Sequence, residues 1–76
     1  MNKNVTKKEI VEKLFSVIKL TRGGSCIKKL EYQDEGDAGE FVYGFMDLGG
    51  KSSHFRIDVT ADSDISMIKD ICEYFA

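Results

Sequence analysis

Apolar residues recur at helical spacing near both ends of this chain and at alternate positions between them. That change of period restricts the fold more than any other feature. Ile10, Leu14, Val17 and Ile18 share one helical face, widened by Val11 and Phe15, and charged residues take the other side. Thr6-Lys7-Lys8-Glu9 reads as a capping box, in which the threonine side chain accepts from the Glu9 amide and the glutamate accepts from the Thr6 amide. Val5 and Ile10 occupy the staple positions that flank it. Arg22-Gly23-Gly24 is expected to stop the helix, with Gly23 as a left-handed residue just past its end.

Three strand-like segments follow. Residues 26–32 are mixed and charged, which suits an edge strand. Residues 41–46 are apolar on both faces. Phe55, Ile57 and Val59 alternate with His54, Arg56, Asp58 and Thr60, so the first set faces inward and the second outward. Asp62-Ser63-Asp64 offers N-caps for a last helix, whose expected stripe is Ile65, Ile68, Ile71, Cys72 and Phe75. The order α-β-β-β-α predicts a single α+β domain over residues 1–76. It has an antiparallel three-stranded sheet with both helices packed on one face and the other face open.

The parity of the second hairpin decides which side chains reach that open face. A three-residue loop at Leu48-Gly49-Gly50 opposes Tyr43 to Phe55 and Phe41 to Ile57, and sends Val42 and Met46 outward beside His54 and Arg56. A two-residue turn at Gly49-Gly50 reverses every side chain of the middle strand relative to the third. The three-residue loop is preferred, because it buries more aromatic surface in one core. His54 and Arg56 face outward under either register. The expected interface residues are therefore His54, Arg56, Met46 and Val42.

Composition narrows the function classes. A chain of 76 residues buries only about 60% of its unfolded surface and is marginally stable. Its two cysteines, Cys26 and Cys72, stand far apart, and His54 is the only histidine, so neither a zinc knuckle nor a His-rich metal site is expected. No apolar leader or spanning segment stands out, and unpaired thiols fit a cytoplasmic setting. Residues 1–29 carry eight lysines and arginines against Glu9 and Glu12, whereas residues 30–76 carry Lys51, Arg56 and Lys69 against eleven acids.

Several motifs fail on inspection. Gly49-Gly50-Lys51-Ser52 resembles the tail of a phosphate-binding loop, but Phe45 stands where the first glycine belongs and a strand follows instead of a helix. Asp34-Glu35-Gly36-Asp37 puts Gly36 where a calcium loop needs its second oxygen ligand. Beside His54, Ser52 and Ser53 lack a positioned base and an oxyanion hole. The element order resembles the double-stranded-RNA-binding domain, a family that grips phosphates with lysines at the start of its second helix. Here that stretch is Asp62-Ser63-Asp64-Ile65-Ser66-Met67, which repels phosphate, so the family is not assigned.

No catalytic residues, cofactor or metal are expected, and no membrane partner. With 42% of its residues hydrophobic, the chain is expected to leave apolar surface on the open face, a mark of an interface. The reading is a stand-alone, non-enzymatic protein-binding module for an unidentified protein partner. It would act as an accessory or regulatory protein, or as an inhibitor of the phage or mobile-element kind, or as a homodimer through the open face. The alternative is a nucleic-acid-associated module using the basic first helix. The capping box carries its own test. Thr6→Ala is expected to cost about 1 kcal/mol, a fall of roughly 4–8 °C in the thermal midpoint of so small a domain. An unchanged melting curve would place the helix start elsewhere.

Overall fold

A computed structural model describes residues 6–75. Helix α1 (Lys7–Ile18) is followed by strands β1 (Ile27–Asp34), β2 (Glu40–Leu48) and β3 (Lys51–Asp58), and helix α2 (Asp64–Tyr74) comes last. The sheet is antiparallel, in the order β1-β2-β3. Val11 and Ile18 of α1 join Met67 and Ile71 of α2, with Leu30, Val42 and Phe55 from the three strands, in one buried cluster. Both helices therefore cover the same face of the sheet, and the α+β fold read from the sequence forms. Among the described residues, no helix is long and apolar enough to cross a membrane.

The capping box closes at both of its bonds: Thr6 Oγ1 accepts from Glu9 N at 3.2 Å, and Glu9 Oε1 accepts from Thr6 N at 3.0 Å. Val5, the expected staple partner of Ile10, lies outside the described residues. α1 ends at Ile18, earlier than the glycines suggest, and Gly23 does not adopt positive φ. The cause is Thr21, whose hydroxyl donates to Ile18 O at 2.7 Å and accepts from Gly24 N at 3.0 Å. That side chain satisfies the helix end before the glycines are reached. In α2 the buried stripe is centred on Met67 and Ile71, while Ile65 and Cys72 are exposed, so the expected helix face is rotated. Ser63 supplies the cap, accepting from Ser66 N at 3.1 Å.

The second hairpin overturns the preferred register. Leu48 pairs with Lys51, and Gly49 and Gly50 form a two-residue turn with φ of 62° and 91°. Positive φ at both central residues is the type I′ requirement, which two consecutive glycines meet without steric cost. Val42 therefore opposes Ile57 and Gly44 opposes Phe55, all toward the helices. A bulge between Ile27 and Lys29 performs a similar service in β1, since it lets both Ile27 and Leu30 reach the core across two intervening lysines.

Glu40 ties the elements together. Its carboxylate accepts from Lys7 Nζ of α1 at 3.2 Å, from the Tyr32 hydroxyl of β1 at 2.5 Å and from Ala61 N before α2 at 3.0 Å. Ala61 is the one described non-glycine residue at positive φ, 61°, and its amide is the one that donates to Glu40. The Tyr32 hydroxyl first, then the Ala61 amide and Lys7, pull the Glu40 carboxyl below its ordinary 4.5. Nearby, the neighbouring Asp70 carboxyl first and then burial raise Asp62 above its ordinary 3.8, and Asp62 Oδ2 is buried without a hydrogen-bond partner.

These two carboxyls oppose each other in pH dependence. The fold favours ionised Glu40, so its contribution is present above pH 4.5 and is lost as pH falls through the lowered value. It favours protonated Asp62, whose contribution is present below pH 3.8 and is lost as pH rises through the raised value. Thermal melts should therefore show Glu40→Gln less stable than wild type at about pH 7, with a shallower loss toward acid. Asp62→Asn should melt higher than wild type at about pH 7 and gain nothing at about pH 3. A neutral-pH loss in Asp62→Asn would mean that the carboxyl pair supports the fold.

Candidate functional site

The face turned away from the helices is built from three cross-strand rows. Lys29, Phe45 and His54 form one; Glu31, Tyr43 and Arg56 the next; Gln33, Phe41 and Asp58 the third. Directly opposed residues in a sheet share a face. The type I′ turn thus places three aromatic rings of β2 along the middle of the open side, between polar residues of both neighbours.

Each ring has its own neighbour. Phe45 lies against the His54 imidazole, with centroids 5.1 Å apart. The Arg56 guanidinium sits 4.7 Å from the centre of the Phe41 ring, and that cover helps leave Phe41 only 8% exposed although it is outside the main core. Tyr43 donates its hydroxyl to Glu35 Oε2 at 2.7 Å. That bond chiefly, with burial and the Glu35 charge, raises the Tyr43 phenol above its ordinary 10.0. Lys29 Nζ pairs with Glu31 Oε1 at 3.2 Å along β1. A shallow open depression of about 520 Å³ runs over this face, lined by Lys29, Glu31, Tyr43, Phe45 and His54 among others. Asp58 closes the far row, its carboxyl held below the usual 3.8 by the Thr60 hydroxyl and amide.

Two of the four residues expected at an interface lie on this face, His54 and Arg56, and both are exposed. The other two do not. Val42 is fully buried, and Met46 packs against the core from the helix-facing side. The two-residue turn is the physical reason, because one residue fewer in the loop flips β2. Tyr43 and Phe45 take their places, and the Gly49-Gly50 dipeptide was the signal for them.

The arrangement can offer flat aromatic area with charges on both flanks. Among the described residues, no group of three His, Cys, Asp or Glu side chains is placed to hold a metal ion. Comparison with known proteins finds no matching family model, no matching curated protein and no matching solved structure.

A pair of substitutions separates the two faces. Met46→Asp puts a carboxylate against the core, at a cost of several kcal/mol, which is most of what a chain this short has, roughly 5 kcal/mol. It should abolish the cooperative thermal transition. Phe45→Asp removes a partly buried ring outside the main core and should cost about 1 kcal/mol. The opposite order of stabilities would restore the three-residue loop.

Proposed function

We propose that this chain is a small protein-binding module that acts by covering part of a partner's surface with its open sheet face. The observation that carries the reading is the row of Phe41, Tyr43 and Phe45 along the one sheet face that neither helix covers. Aromatic residues supply large rigid contact area at low conformational cost, and arginine is the charged residue most often found among them at interfaces. Tyr43 and Phe45 are the anchors in this reading, and His54, Arg56 and Glu31 orient the partner. The role is accessory, regulatory or inhibitory, in a reducing compartment such as the cytoplasm, where Cys26 and Cys72 stay free thiols. No bond-making step is assigned to it.

Tagged wild-type protein should capture a partner from a cell extract, and Phe45→Asp or Arg56→Glu should lose that partner while keeping a wild-type circular dichroism spectrum. Salt separates this reading from nucleic-acid binding by the basic first helix. Raising salt from about 50 to 200 mM should change an apolar interface little, whereas multiple phosphate contacts would lose several hundredfold or more in affinity. Capture that survives Phe45→Asp and collapses with salt would move the function to α1.

A further inference from the structure

We propose that the open face binds a second copy of this chain, about a two-fold axis that runs roughly along β2 and passes over Tyr43. This inference rests on the docking reading above and names its partner. Two antiparallel sheets stacked face to face with nearly aligned strands (about 30° apart) can be related by an axis along the strands or by one across them. The rows of this face distinguish the two.

An axis across the strands that passes over Tyr43 sets Glu31 over Glu31 and Arg56 over Arg56, which repels at both positions. An axis along β2 exchanges the flanking strands and keeps each row at its own level. Because Glu31 and Arg56 flank Tyr43 in one row, Glu31 then lies over Arg56 of the second copy, and Arg56 over its Glu31. Opposite charges meet twice. Of the outer rows, the one with Gln33 and Asp58 fits this choice, since the Gln33 amide can donate to the Asp58 carboxylate, while Lys29 comes over His54 with no opposite charge to meet. Along the axis itself, Phe45, Tyr43 and Phe41 meet their own counterparts, so aromatic surface faces aromatic surface. The central row is also the one that sheet twist displaces least.

Size sets the strength. Three strands about 4.8 Å apart, at roughly 3.3 Å per residue, offer a few hundred Å² on each copy. That is below the ~800 Å² per partner of a standard interface, so the dimer is weak and is formed at micromolar concentrations or above.

The test is sedimentation velocity across about 10–300 µM, a range suited to interfaces of this size. Wild type should shift from monomer to dimer with concentration. Glu31→Arg alone and Arg56→Glu alone each oppose like charges twice, and each should raise the dissociation constant more than about tenfold. Mixed in equal amounts, the two variants should associate with near-wild-type strength, because both contacts between positions 31 and 56 again join opposite charges. Where Arg56→Glu fails to fold for want of cover over Phe41, Arg56→Gln replaces it. Mixed with Glu31→Arg, it must associate more tightly than Glu31→Arg alone. A wild type that stays monomeric, single variants that dimerise unchanged, or a mixture that stays monomeric would each overturn the dimer. A monomeric wild type whose capture of another protein is still lost in Phe45→Asp overturns the dimer alone. A monomer whose capture is indifferent to Phe45 overturns the docking reading with it.

Discussion

The length of one turn decides what this protein presents to its surroundings. Side chains alternate along a strand, so one residue more or fewer between β2 and β3 exchanges the two faces of β2 completely. Gly49 and Gly50 both adopt positive φ and close the hairpin in two residues. The core then receives Val42, Gly44 and Met46, a set with little volume. Gly44 makes that workable. A Cβ at this position would stand 2.5 Å from Phe55 Cζ, so the missing side chain is the space that the Phe55 ring fills. At the end of α2, Tyr74 tilts over that ring and Phe75 meets it edge-on, at 4.7 and 5.6 Å between centroids. A glycine in the middle strand and an aromatic cluster from the last helix thus answer each other across the core.

At the far end of β2, Glu40 does for the helices what the turn does for the strands. Its side chain points to the helix side and meets one donor from α1, one from β1 and one from the segment leading into α2. Its backbone pairs with the same segment, since Val59 N donates to Glu40 O at 3.0 Å and Glu40 N donates to Thr60 Oγ1 at 3.0 Å. A small domain has few layers with which to fix the entry angle of a helix. Here one carboxylate joins α1, the sheet and the approach to α2. The neighbouring Asp62 and Asp70 pull the other way at neutral pH, because the Asp70 carboxyl and burial favour a proton on Asp62. Lys7 stands close enough to Asp62 to ease that opposition in part.

How much of this could be read from the residues depends on whether the signal was local. The capping box is four consecutive residues with one geometry, and it forms as written. The alternation of Phe55, Ile57 and Val59 has a single solution, and His54 and Arg56 followed from it. The face of β2 had two solutions, and burial of its aromatics in a single core favours the three-residue loop. That premise fails at Phe41, which is buried on the opposite face under Arg56. An aromatic ring can lose most of its water contact without entering the main core, provided a guanidinium covers it. In α2, Ile65 and Cys72 were as apolar as Met67, and only the position of the neighbouring strands selects which of them turns inward. The end of α1 was hidden for a related reason, because a threonine hydroxyl took over the task usually given to a glycine.

The open face combines two properties that are in tension, apolar area and a lone chain's need to stay dispersed. Each ring on it is engaged by a polar group: Phe41 by Arg56, Tyr43 by Glu35, Phe45 by His54. These contacts are weak enough to yield to a better partner and are arranged so that no ring stands alone in water. They also hold the rings still. A tyrosine already tied to Glu35 loses less freedom when a partner covers it, so more of the contact energy survives as affinity. The charges that flank the rings carry little binding energy in the open. In the proposed complex they would select the partner's orientation, because a like charge placed opposite either of them is costly. In the proposed docking, aromatic rings on the middle strand would supply the attraction, and the order of charges on β1 and β3 would supply the geometry. Both depend on a turn of two glycines.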